Sequence, residues 1–414
     1  MLKRSPVYTV FLTVFLDMLG VGIVIPVLPA LFMGGPDSSI LPPETTDAQR
    51  SILYGYLTAM YPVMQFFGAP ILGSLSDRFG RKPMLQISLV GTLIGYLLFA
   101  WAIYTQNLPL LFFSRMLPGF TGGNISIIMS SLSDIAIPEN RTRYFGLVGM
   151  AFGLGFIMGP AIGGLLADNT LVSWFDHATP FWFTAALTVV NLAVVQFLFQ
   201  ETNTKKRHSE VSFMSGFKNI GKAFSAKHLR GIFMVSLFIS LGFSFFTQFF
   251  SVYLMTKFGY QERQIGLIFA WVGLWLVITQ GVTVRILAKK ISPERILRFS
   301  ILFLSISIGA VLVPQTAGLI YFINPFIATF QGLTSPNLTT VVSKSAGDNE
   351  QGEILGINQS MISVGQAVPP IIAGYLNSFN VMLPLMAASV FVFFGWIAYL
   401  VRSKQQAAGS EKSE

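Results

Sequence analysis

The sequence predicts an all-α integral membrane protein of twelve transmembrane helices arranged as two pseudo-symmetric six-helix bundles. Three observations carry this. Hydrophobic residues fill 53% of the 414 positions and charged residues 11%, with 39 Phe; that leaves too little charge to cover a soluble surface and too much aromatic content for disorder. Apolar stretches of about 20 residues, long enough to cross a ~30 Å hydrocarbon core as helix, recur from end to end. The second half repeats the first at a constant offset of about half the chain, which implies two bundles related by an axis along the membrane normal.

In order, the spans are expected at 8–33, 51–73, 84–104, 108–137, 144–167, 179–200, 231–255, 264–287, 296–314, 317–342, 354–376 and 381–401. The ninth and tenth are separated only by a short connection around Gln315 and Thr316. An even number of spans returns both termini to one side. The Lys and Arg residues alternate by loop: Lys3 and Arg4; Arg78, Arg81 and Lys82; Arg141 and Arg143; seven from Lys205 to Arg230; Arg285, Lys289, Lys290, Arg295 and Arg298; Lys344; and Arg402, Lys404 and Lys412. Only Arg50, Lys257 and Arg263 fall on the other side, with Arg115 inside a span. The positive-inside rule therefore places both termini in the cytoplasm of a multi-pass protein of the cell (inner) membrane. The net charge of +9 is explained by this topology and not by nucleic acid.

The basic start followed by an apolar run does not read as a cleaved signal peptide, because the run is too long and Pro26 and Pro29 stand where small residues are needed. There is no cysteine, so disulfides and thiolate chemistry are excluded. His177, His208 and His228 lie in loops or at span ends, so no metal site is expected. Neither a phosphate-cradling loop nor a nucleophile triad is present, which argues against an enzyme and against any cofactor.

The longest polar interval divides the chain into a bundle at 1–200, a cytoplasmic linker at 201–230, a bundle at 231–402 and a cytoplasmic tail at 403–414. Within the linker, Phe213, Phe217, Ile220 and Phe224 recur at near-helical spacing beside Lys218 and Lys222, which fits a short helix lying on the membrane surface; a solvated tether is the plainer alternative. Residues 146–166 align with 356–376, so that Gly155 meets Gly365, Pro160 meets Pro370 and Gly164 meets Gly374. At the same offset Gly122 meets Gly332 and Ser133 meets Ser343.

The loop after span two reads GSLSDRFGRKP, residues 73–83. Gly73 and Gly80 permit close packing and a tight turn, Asp77 can accept hydrogen bonds or face a helix N-terminus, and Arg78, Arg81 and Lys82 resist translocation. Purely topogenic charge would need the basic residues but neither the acid nor the glycines. This pattern resembles the signature loop of the major facilitator superfamily, and ILAKKISPER at 286–295 is a decayed counterpart in the second half. The resemblance implies the major facilitator fold, with Asp77 docking near Gly352 to Gly356 and Arg81 pairing with Asp134, as a cytoplasmic gate.

Span five carries GLGFIMGPAIGG at 153–164. Gly153, Gly155, Gly159, Gly163 and Gly164 thin the helix and Pro160 kinks it. Such stripes are often plain packing, but this one resembles the span-five motif of superfamily exporters. Span four carries Arg115, which costs about 2.5 to 3.5 kcal/mol on insertion scales and either faces an interior partner or snorkels from about 9 Å inside the span. Arg115 with Gly119 resembles the span-four pattern tied to proton coupling in drug:proton antiporters.

Span one places Asp17 roughly 15 Å deep, near the midplane. Arg115 enters from the other side, so the two are expected to lie at similar depth and to pair. Burial favours the neutral acid and a nearby cation favours the carboxylate, so a helix movement that changes either would load or release a proton. LDMLGVGIVIPVLP at 16–29 closely resembles span one of the tetracycline-efflux-like branch. RTRYFG at 141–146 and GDNEQGEILG at 347–356 extend the resemblance over nearly the whole chain. No spans of the second half carry a deep acid, a departure from some relatives that leaves coupling to the first half.

The resemblance thus implies a proton-gradient-driven exporter of lipophilic small molecules, acting by alternating access as a monomer among membrane lipids. Candidate cavity residues are Tyr61, Gln65, Asn124, Phe152 and Phe156 in the first half, and Phe246, Gln248, Trp271, Trp275, Gln331, Asn358 and Gln359 in the second. An uptake carrier of the same fold is the nearer alternative, and a lipid-translocating or receptor-like member the more distant one.

Overall fold

Each apolar stretch folds as helix, with a break at Pro26 in the first and at Gly122 and Gly123 in the fourth. The computed structural model describes residues 6–34, 39–135, 138–203, 214–225, 229–345 and 351–410, with the side chains of 6, 138–149, 152, 215, 351–353 and 406–410 outside the description. Span one is α1 (Pro6–Val24) and α2 (Val27–Met33), divided at Pro26; α3 (Asp47–Phe79) and α4 (Arg81–Tyr104) are spans two and three. Span four is α5 (Leu108–Thr121) and α6 (Asn124–Ile135), divided at Gly122 and Gly123, followed by α7 (Pro138–Leu166) and α8 (Thr179–Leu198). The linker holds α9 (Ser215–Ser225), and α10 (Arg230–Phe258) is span seven. Span eight is α11 (Glu262–Ile278), a π-turn at Thr279–Thr283 and α12 (Val284–Ala288). The last four spans are α13 (Pro293–Ala310), α14 (Gly318–Lys344), α15 (Gln351–Phe379) and α16 (Leu383–Ser410).

Among the described residues, six stretches are long and apolar enough to span a membrane by length and composition alone: Val7–Met33, Arg81–Tyr104, Thr179–Leu198, Arg230–Phe258, Glu262–Ala288 and Leu383–Gln405. The others are diluted by the residues that shape them, such as Pro62 and Pro70 in α3 or Pro325 and Pro336 in α14. Helix starts are specified locally. Thr46 and Gln49 form a reciprocal capping box on α3, Asn107 caps α5 and Ser292 caps α13.

By its contacts the chain forms two compact units, Met1–Phe213 with Leu254–Gly273, and Met214–Tyr253 with Leu274–Glu414. Sequence reasoning assigns 254–273 to the second bundle; its contacts lie in the first unit because small residues let backbones meet there. A Cβ added to Gly266 would lie 2.4 Å from Pro160 O, and one added to Gly164 would lie 2.5 Å from Glu262 O. His177 Nε2 and Glu262 Oε1 are 2.9 Å apart in the same region.

In the first unit α1 and α7 pack most tightly. Cβ atoms added to Gly155, Gly159 and Gly163 would lie 2.6 Å from Met18 Cβ, 2.7 Å from Gly22 Cα and 2.0 Å from Ile23 O. The glycine stripe of span five is therefore the surface on which span one rests, which is how membrane helices gain contact without a hydrophobic driving force. In the second unit hydroxyls join the helices: Ser305 Oγ donates to Ser389 O at 2.9 Å, and Thr334 Oγ1 to Ser300 Oγ at 2.9 Å. Helix α9 lies against α15, with Asn219 Nδ2 donating to Ser360 Oγ at 3.2 Å, while Phe217, Lys218, Lys222 and Phe224 are exposed. Phe213 of the expected stripe lies outside the described residues.

Candidate functional site

Asp17 is held by two amides. Asn124 Nδ2 donates to Asp17 Oδ2 at 2.5 Å, and Asn191 Nδ2 donates to Asp17 Oδ1 at 3.0 Å. The break in span four makes the first contact available, because α6 restarts at Asn124. Asn191 comes from α8, which approaches α1 closely at Gly20; a Cβ there would lie 2.8 Å from Thr184 Cγ2. Charge-assisted bonds of this kind are stronger than neutral ones. Asn124 was expected to line a substrate cavity; the structure instead commits its amide to the acid.

The expected pairing of Asp17 with Arg115 is not formed. Among the described residues no carboxylate lies within ion-pair distance of Arg115, whose guanidinium sits over the Tyr61 ring, 5.3 Å from its centroid. Arg115 Nε is buried without a hydrogen-bond acceptor. Common depth sets the height of two side chains but not their direction. Arg115 and Gly119 share one helix face, and Gly119 packs on α3, where an added Cβ would lie 2.7 Å from Tyr61 O. The arginine is thereby turned toward α3 and away from α1. Tyr61 and Tyr96 stand within electrostatic reach of both Asp17 and Arg115, and Tyr54 within reach of Arg115.

At the end of the unit that holds residues 73–83, Arg81 is nearly enclosed. Its guanidinium lies 2.6 Å from Asp77 Oδ1 and 3.0 Å from Asp134 Oδ2, and it donates to Ser76 Oγ at 2.6 Å. Gly80 adopts φ 114, and a Cβ there would lie 2.6 Å from Glu201 Oε2, so glycine is required on both counts. Glu201 accepts from Arg81 N at 2.9 Å and from Lys82 N at 3.1 Å, capping α4. Asn203 Nδ2 donates to Asp77 O at 2.8 Å, Lys82 Nζ to Gln196 O at 2.7 Å, and Thr202 Oγ1 to Asp134 Oδ2 at 3.2 Å. Gly73 packs against Ser126, and Arg78 is exposed over the Phe79 ring. The region expected to receive Asp77 includes Gly352 and Glu353, whose side chains lie outside the description.

The remaining cavity candidates divide by environment. In the first unit, Gln65 Nε2 donates to Gly122 O at 3.0 Å and Phe156 meets Phe269 edge-on at 6.4 Å. Trp271 is half-buried, and the side chain of Phe152 is outside the description. In the second unit Phe246 is 3% exposed and stacks on Phe250 at 4.7 Å. Gln248 and Trp275 are half-buried and Gln359 is exposed. Gln331 Oε1 and Asn358 Oδ1 are buried acceptors without a partner, and both the amide oxygen and the amide nitrogen of Asn324 are buried without one. Such groups are costly unless water or a ligand satisfies them.

Sequence reasoning missed Asn191, Tyr54, Tyr96, Glu201, Asn203 and Asn324. Asn191 carries a readable signal, because an amide in the apolar run of span six is expensive without a partner. Glu201 and Asn203 were read only as the start of a linker.

A repeated helical membrane architecture with an acid and an arginine inside one half defines a secondary transporter. The chain belongs to the Major Facilitator Superfamily, whose sequence profile matches residues 10–370 and 232–414. It is similar to the class H tetracycline resistance protein of Pasteurella multocida, 29% identical with 97% of this chain and 98% of that one covered. Multidrug resistance protein 1 of Bacillus subtilis (strain 168) is 29% identical, with 95% of each chain covered. Among solved structures, the human organic anion transporter MFSD10 (TETRAN) superposes with a TM-score of 0.73 at 20% identity, over 96% of this chain and 100% of that one. The D-xylose–proton symporter gives a TM-score of 0.75 at 14% identity, with 96% of each covered. These two show the fold. As a member of a transporter superfamily, the chain is not an enzyme.

Proposed function

We propose that this protein exports lipophilic small molecules of the tetracycline or multidrug type across the inner membrane in exchange for protons, by alternating access and as a monomer. The single observation that carries the reading is the position of Asp17: an acid deep in span one, held by Asn124 and Asn191 and left without a cation at its side. A group so placed changes charge with little else to compensate. A proton arriving from outside neutralises it and release to the cytoplasm restores it, and each unit charge moved down the potential supplies about 2.3 kcal/mol per 100 mV. No cofactor is needed, because the proton gradient drives the cycle.

Export and not uptake is supported by the glycine stripe of span five and by the names of relatives that align over almost the whole chain. With both termini cytoplasmic, the Arg81, Asp77 and Asp134 cluster sits at the cytoplasmic end and acts as a gate. Arg115 over Tyr61 presents a positive group with an unfilled hydrogen-bond donor inside the same bundle. Purified protein in liposomes with an imposed proton gradient tests the reading. Tetracycline or ethidium should move against protons and stop when a protonophore collapses the gradient. Movement that ignores the gradient, or no movement of either compound, would sink it.

A further inference from the structure

The amide of Asn191 does two things at once. Its nitrogen donates to Asp17 Oδ1 at 3.0 Å and to the backbone carbonyl of Thr13 at 3.3 Å, one helical turn before the acid. The side chain is 1% exposed, and its own oxygen, Oδ1, is buried with no donor. Thr13 Oγ1 is likewise buried and without a partner. Two unsatisfied polar atoms, on Asn191 and Thr13, therefore accompany an acid each of whose oxygens accepts one amide bond. That arrangement is costly as it stands, and is relieved by a state in which the acid is a donor.

We propose that Asn191 is a positioning residue that reverses its side-chain amide when Asp17 takes up a proton. The inference rests on the reading of Asp17 as the proton carrier. The proton goes to Oδ1, the oxygen that faces Asn191, whose amide has an unfilled acceptor to offer it. Oδ2 then remains a carbonyl that still accepts from Asn124. Oδ1 becomes a hydroxyl facing an N–H donor, which is a clash of like roles. A half turn about the Asn191 Cβ–Cγ bond puts its empty oxygen in place of the nitrogen, where it accepts the acid proton. The same turn removes the bond to the Thr13 carbonyl and carries the amide nitrogen to the place its oxygen held. Proton loading is thus converted into a changed attachment between spans one and six.

The surroundings leave few competitors for this role. Tyr61 on α3 and Tyr96 on α4 are the titratable groups within electrostatic reach of Asp17, and Arg115 on α5 acts on both tyrosines. Helix α8, helix α2 and residues 150–166 of α7 contain no titratable side chain, and α6 has Asp134 only near its far end.

The test is an infrared pH titration of the purified full-length chain, following the carboxyl C=O band that Asp17→Asn removes. In Asn191→Leu the protonated acid loses the acceptor that the reversed amide supplies, so the band should move to the higher frequency of an acid without an acceptor. Asn191→Ala, which is smaller and serves if the leucine variant does not fold, should do the same. A band with the natural frequency in the variant that folds overturns the proposal and leaves Asp17 as the carrier intact. If Asp17→Asn removes no titrating band, the reading of Asp17 falls and the proposal falls with it.

Discussion

Asn124 Nδ2 lies 2.5 Å from Asp17 Oδ2, which ties the acid of span one to the first residue after the break in span four. A hydrogen bond to a charged group contributes about 1.5 to 3 kcal/mol. Asn124→Leu should therefore make the ionised acid harder to reach, lowering proton-driven substrate movement in liposomes by about tenfold or more, since 1.4 kcal/mol is tenfold. A natural rate in that variant would show that the contact has no part in coupling.

The glycines of span five separate packing from helix propensity. Gly163 faces Ile23 O, where an added Cβ would sit at 2.0 Å, whereas nothing lies within 4 Å of one added to Gly221 in α9. Gly163→Val should lower the thermal unfolding temperature markedly or prevent assembly. Gly221→Ala should be neutral or stabilising by up to about 1 kcal/mol, because alanine is the better helix former. Thermal melts of the two variants in one detergent check the contrast.

Glu201 caps α4 from outside that helix, accepting from two of its first amides. Its loss should cost about 0.5 to 2 kcal/mol, as for other N-caps. Arg81→Ala should cost more, since it leaves Asp77 and Asp134 without their cation in a half-buried site. Denaturation midpoints should therefore fall in the order natural, Glu201→Ala, Arg81→Ala; the reverse order would contradict the assignment of Arg81 as the hub of this end.

Asp168, in the loop after α7, has a carboxyl held below the usual carboxylate range by the Thr170 hydroxyl; burial opposes this, and the Thr170 amide and Arg263 add to it. Because the folded value lies below the unfolded one, its stabilisation is present above about pH 4 and is lost as pH falls through the folded value. Asp168→Asn should melt below the natural chain at neutral pH, and the two melting curves should converge in acid. A constant gap across pH would refute the linkage.

The helical stretches were legible because hydropathy acts locally, whereas the breaks at Pro26 and at Gly122 with Gly123 were not read from it, since prolines elsewhere lie within unbroken helices. The contact of Arg81 with Asp134 was legible by resemblance. The partner of Asp17 was not, because sequence position gives depth along a span while the direction of a side chain depends on which neighbour its helix face meets. Gly119 turns Arg115 onto Tyr61, and Gly20 brings Asn191 of span six to Asp17. Polar residues such as Asn191 and Glu201 carry no spacing pattern, and only the assembled bundle gives them partners.

The central claim is that Asp17 carries the proton. Liposomes holding the natural chain or Asp17→Asn, with an inward proton gradient imposed, allow substrate movement and proton flux to be followed together. The account predicts that Asp17→Asn no longer moves substrate against the gradient or carries protons in exchange, while the protein remains folded. Substrate-for-proton exchange at the natural rate in Asp17→Asn would contradict it.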